Sequence, residues 1–89
     1  MGITKDDIIN VAINILDNRS NPSRDDMKRA AGRTLSKLVL DEGAAVEEIL
    51  AALDVDFDYE EPLESKIDKA LWQIFAEIVV FIDRERRGW

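Results

Sequence analysis

The chain contains no cysteine and no histidine. Without cysteine there are no disulfides, no thiolate nucleophile and no thiolate zinc or iron–sulfur site, and the composition suits a reducing compartment. Without histidine there is no Ser-His-Asp or Cys-His machinery, no imidazole metal ligand, and no side chain whose unperturbed pKa lies near neutrality. Only four glycines occur, none near another, so a glycine-rich phosphate loop is excluded. The apolar run Ile78-Val79-Val80-Phe81-Ile82 is far short of the roughly 20 residues that span a bilayer. Acidic Asp6 and Asp7 stand where a signal peptide would be cationic and then apolar, so the expectation is a cytoplasmic protein with no membrane attachment. Carboxylates, lysines, one tyrosine and a few hydroxyls remain for chemistry. Nothing among them supplies a nucleophile with its base, and the expectation is a non-enzyme that needs no cofactor.

What is present reads as one small globular domain. The chain has 89 residues, 46% hydrophobic and 35% charged, and a core of that size is modest, so every long apolar stripe is expected to be used. The net charge of −7 is unevenly spread. Residues 1–40 sum to +2, residues 41–64 carry ten acidic side chains and no basic one, and residues 65–89 sum to +1. Basic patches thus flank an acidic middle.

Helical spacing dominates. Thr4 and Asp7 form a capping box with a short acid, and Ile8, Ile9, Val11, Ala12, Ile13, Ile15 and Leu16 then cover about 200° of a helix expected over about 5–18. Turn formers around Pro22 end it. Ser23, with Asp26 three residues on, caps a second helix whose stripe is Met27, Ala30, Ala31, Thr34, Leu35 and Leu38. Asp41-Glu42-Gly43 closes that helix, and Val46, Ile49, Leu50 and Leu53 mark a short third one. Residues 54–61 alternate acid with apolar, but Asp is a poor strand former and no partner strand exists, so an acidic loop with Phe57 or Tyr59 tucked inward is expected. Pro62 opens a long fourth helix over about 62–86. At 100° per residue, Leu63, Ile67, Ala70, Leu71, Ile78 and Phe81 fall within about 60° of Ile74, with Ile82 near 80°, and form its core face.

With an offset of 40, Ile9, Ile13, Pro22, Met27, Ala30, Leu35, Leu38 and Val39 align with Ile49, Leu53, Pro62, Ile67, Ala70, Phe75, Ile78 and Val79. The implied fold is all-α: a four-helix antiparallel bundle made of two helical hairpins, with a long C-terminal helix.

Ile15-Leu16-Asp17, Pro22, Arg29-Ala30-Ala31, Leu53-Asp54, Pro62 and Leu71-Trp72 stand in this order over residues 8–80. That succession resembles an uncharacterised family of short archaeal proteins of unknown function, all helical and about ninety residues long. Residues 21–28 and Glu64-Ser65-Lys66 depart from the family's proline motifs. The resemblance implies an all-helical fold and an archaeal, cytoplasmic origin, and it brings no activity with it.

Three surfaces are candidates for function. Trp72, Ala76, Val79 and Val80 fall on the side of the fourth helix opposite its core face, with Trp89 at its end. Contiguous outward-facing apolar residues that include Trp mark an interaction surface, and a homodimer lets one patch satisfy itself. The competing reading packs them on the N-terminal segment or on Phe57 and Tyr59. Lys28, Arg29, Arg33 and Lys37 form a basic strip on the second helix able to contact nucleic-acid phosphates, as could Arg84, Arg86 and Arg87. Their simpler use is to face the acidic stretch 41–64 within the fold. Asp54, Asp56, Asp58 and Glu60 match positions 1, 3, 5 and 7 of a calcium loop, but Tyr59 replaces the glycine of the sharp turn and Ser65 the bidentate Glu. They are at best a weak Ca²⁺ or Mg²⁺ site, and more simply a solvated connector.

Overall fold

The structure is a computed structural model that describes residues 2–16 and 21–86, with the backbone alone at Arg86. Four α-helices and one π-turn make up the regular structure of the described residues: α1 (Lys5–Leu16), α2 (Arg24–Ser36), a π-turn over Lys37–Asp41, α3 (Val46–Ala52) and α4 (Leu63–Arg86). No strand occurs among them, and residues 54–61 form a loop.

Local chemistry explains the starts and stops. The Thr4 hydroxyl accepts the Asp7 N–H at 3.1 Å while the Asp7 carboxylate accepts the Thr4 N–H at 3.0 Å. Ser23 and Asp26 repeat this reciprocal pairing at α2. Both satisfy amides that have no partner inside the helix. Residues 17 and 18, the expected end of the first helix, lie outside the described residues. At the far end of α2 the helix widens, the Glu42 N–H donating to the Lys37 carbonyl at 3.2 Å and the Ala44 N–H to Leu38 at 2.9 Å. Gly43 at φ +71° makes the reversal, a left-handed conformation that costs other residues a Cβ clash.

The helices pair as two hairpins, α1 on α2 and α3 on α4, joined by α2 against α4, with α1 also touching α4. The core runs through all four: Ile8 and Ala12 from α1, Ala30 and Leu35 from α2, Ile49 and Leu50 from α3, and Ala70, Ile74 and Ile78 from α4 are buried. Thr34 is fully buried because its hydroxyl donates to the Ala30 carbonyl one turn back at 2.7 Å. The 40-residue correspondence holds where the second helices meet the core, since Ala30 and Ala70, Leu35 and Phe75, and Leu38 and Ile78 are all buried. It fails at the prolines, Pro22 being buried and Pro62 exposed.

The core face of α4 needs two corrections. Leu63 shares the helical direction of Ile74 yet is 59% exposed, at the first residue of the helix. Phe75, about 100° from Ile74, is buried because α2 covers that flank, with Arg24 over its ring at 5.7 Å. α4 has 24 residues, about 36 Å at 1.5 Å per residue, and so runs most of the molecule's 41 Å long axis. Its outer face is presented as one long strip.

Candidate functional site

Trp72, Ala76, Val79 and Val80 lie on that strip and are exposed, Trp72 at 65%. Trp72 meets Phe75 edge-on, ring centroids 6.0 Å apart at 80°. Phe57 and Tyr59 are engaged elsewhere, with each other at 4.9 Å, and Phe57 rather than Tyr59 is the ring turned inward. Trp89 lies outside the described residues. On the α2 side of Trp72 an open trough of about 280 Å³ is lined by Ala31, Gly32, Leu71 and Phe75, with Lys28 on its α2 wall and Asp68 on its α4 wall.

Lys28, Arg29 and Arg33 of α2 and Lys37 of the π-turn are all exposed but do not share one groove. Lys28 lines the Trp72 trough. Arg33 and Lys37 line a separate groove of about 530 Å³ between α1 and α2, beside Val11, Ile15 and Leu40, and Arg29 lies with Arg33 at its continuation. The split follows from helix geometry, which puts Lys28 and Arg33 about 140° apart. Lys37 pairs with Asp41 at 3.7 Å. The acidic stretch is otherwise met from α4: Lys66 pairs with Glu47 and Lys69 with Glu61, each at 2.9 Å. Of the C-terminal arginines, Arg84 is exposed, Arg86 is described in its backbone alone, and Arg87 lies outside the described residues.

The acidic loop does not gather its carboxylates. Among the described residues no three Asp or Glu side chains converge as metal ligands, those of Asp54, Asp56, Asp58 and Glu60 included. The physical reason is local. Asp54 occupies a left-handed turn at φ 59°, and an Asp58 oxygen accepts the Glu60 N–H at 2.9 Å, closing the loop on itself. Glu61 is the acid that anchors the segment. It accepts from the Ser65 hydroxyl, from Lys69 and from the Asp58 N–H, and these donors, Ser65 foremost, hold its carboxyl down at about 2.

Lys66 is the residue that sequence reasoning passed over. Only 5% exposed, it donates from Nζ to Glu47 at 2.9 Å and to the Tyr59 carbonyl at 2.8 Å, beneath the Phe57 and Tyr59 rings at 5.9 and 5.6 Å. The Lys66 ammonium in turn lowers the Glu47 carboxyl below its ordinary range through their hydrogen bond. One buried cation thus ties α3, the acidic loop and α4 together. Its position about 80° from Ile74, at the edge of the core arc, is the signal that could have found it.

Among the described residues no helix is long and apolar enough to cross a membrane. No protein-family model matches the chain, and no curated protein and no solved structure matches it.

Proposed function

We propose that this chain is a small non-catalytic interaction module that self-associates through the exposed face of α4. The observation that carries the reading is Trp72, 65% exposed and continued along the helix by Ala76, Val79 and Val80. A large aromatic left in water beside further apolar surface is the kind of group that dominates binding energy when covered. In favour of a non-catalytic role, the chain offers neither histidine nor cysteine, and the large pKa displacement at Glu61 is accounted for by contacts that anchor a loop. We place the protein in the cytoplasm, which its lack of cysteine suits, and the resemblance to the archaeal family agrees with that placement.

Light scattering over a dilution series, wild type against Trp72→Ser, tests the proposal. It predicts a concentration-dependent dimer that the substitution splits without loss of helix content. A wild type that stays monomeric up to millimolar concentration contradicts it.

A second reading rests on Arg29 and Arg33, which carry no ion pair among the described residues although acids outnumber bases 19 to 12 in the chain. With Lys37 they could hold the phosphates of a nucleic acid, without Lys28. Arg33→Glu would then weaken retention of single-stranded RNA or DNA and reduce its salt dependence. An unchanged complex at the same salt sinks it.

A further inference from the structure

The trough beside Trp72 is self-complementary in both shape and charge. Its floor holds Ala31 and Gly32, the two smallest side chains in succession, and a Cβ added at Gly32 would meet nothing within 4 Å. Its rim is Trp72, the largest exposed side chain of the described residues. One face therefore carries both a socket and a knob. Lys28 and Asp68 stand on opposite walls of the same trough, and neither carries an ion pair among the described residues. The same face thus also carries both signs of charge, unneutralised. A two-fold axis calls for both halves of every contact on one patch.

We propose that the occupant of the α2–α4 trough is a second copy of this chain, Trp72 of each copy lying on Gly32 and Ala31 of the other, and Lys28 of each pairing with Asp68 of the other. This rests on the self-association proposed above and specifies it: the interface centres on the α2–α4 seam, and Ala76 is peripheral. Lys28 is then a dimer contact and takes no part in the basic groove of Arg29, Arg33 and Lys37. The floor also gives a reason for Gly32, a residue that weakens a helix yet keeps the socket open.

Trans-complementation tests the pairing. Lys28→Glu and Asp68→Lys are each made in the full chain, checked for unchanged helix content, and measured by sedimentation equilibrium alone and as an equimolar mixture. Each alone places like charges together twice across the axis and should weaken the dimer on the order of tenfold or more. In the mixture, the glutamate introduced at position 28 of one chain meets the lysine introduced at position 68 of the other, and the native Lys28 and Asp68 meet at the second contact. The heterodimer should therefore regain near-wild-type affinity. An ion pair within one chain cannot produce that rescue. Gly32→Leu, which fills the socket, should weaken the dimer as well. If the wild type is monomeric, the self-association reading falls and this inference with it. If a dimer forms and Trp72→Ser splits it while Lys28→Glu and Gly32→Leu leave it intact, the reading stands and the trough inference is overturned. Two weakened variants without rescue on mixing overturn it too, because Lys28 of one copy then does not meet Asp68 of the other.

Discussion

Lys66→Met takes a cation out of a nearly closed site and leaves its volume filled. Methionine follows the lysine stem and keeps its apolar contacts, so the change isolates the ammonium. Two hydrogen bonds go with it, to Glu47 and to the Tyr59 carbonyl. The Glu47 side chain is 31% exposed and can turn to water, so its share of the loss is small. The Tyr59 carbonyl loses a charged donor, a bond worth about 1.5–3 kcal/mol net, and the rings of Phe57 and Tyr59 lose the cation beside them. The expected destabilisation is about 2 kcal/mol, against a total on the order of 4–13 kcal/mol for a domain of this length. At roughly 4–8 °C per kcal/mol, Tm should fall by roughly 8–16 °C. Urea and thermal unfolding followed by helical circular dichroism measure this, with Lys69→Met as the comparison. Lys69 also pairs with a glutamate, but its side chain is 41% exposed, so its loss should cost far less. Hydrogen exchange should show faster opening at Asp58–Glu61 in the Lys66 variant. A Lys66→Met cost below about 0.5 kcal/mol, or no greater than that of Lys69→Met, would contradict this role of the buried ammonium.

The same substitution at two glycines should act with opposite sign. Beyond the neighbouring backbone, neither would bring a Cβ within 4 Å of another atom, so backbone conformation decides. Gly32→Ala in α2 should raise stability by about 1 kcal/mol, whereas Gly43→Ala at φ +71° should lower it by about 1–2 kcal/mol, both read from urea midpoints of the monomer. Glu61 is held down from 4.5 to about 2 in the fold, so the unfolded chain takes up its proton first as pH falls. Its contribution is complete above that ordinary value and is lost on acidification toward pH 2, and Glu61→Gln should flatten this part of the acid-unfolding profile. Millimolar calcium should leave Tm unchanged, because the loop's carboxylates do not converge; a rise abolished by Asp56→Asn would contradict the loop geometry.

What could be read in advance was what depends on neighbours in sequence. The capping boxes of Thr4 with Asp7 and Ser23 with Asp26 are three-residue relations and stand where their spacing puts them. Val46, Ile49, Leu50 and Leu53 are all buried, because helix geometry turns their spacing into one face. The exposure of Trp72, Ala76, Val79 and Val80 follows from the same rigidity applied to α4. What escaped depends on which elements meet. Lys66 finds Glu47 nineteen residues away, and nothing local marks the pair. Phe75 is buried only because α2 covers its flank, and that same approach forms the trough that Lys28 lines. The separation of Lys28 was within reach of the helical angle alone. The trough was not, since its floor comes from α2 and its rim from α4.

Backbone amide NMR of the wild type across a dilution from millimolar to low micromolar concentration tests self-association through this face most directly. The account predicts concentration-dependent shifts clustered at Lys28, Gly32, Asp68, Trp72 and Ala76, absent from Asp54–Glu61 and from Arg29, Arg33 and Lys37. Spectra that do not change with concentration, or shifts centred on the acidic loop or the α1–α2 groove, would contradict it.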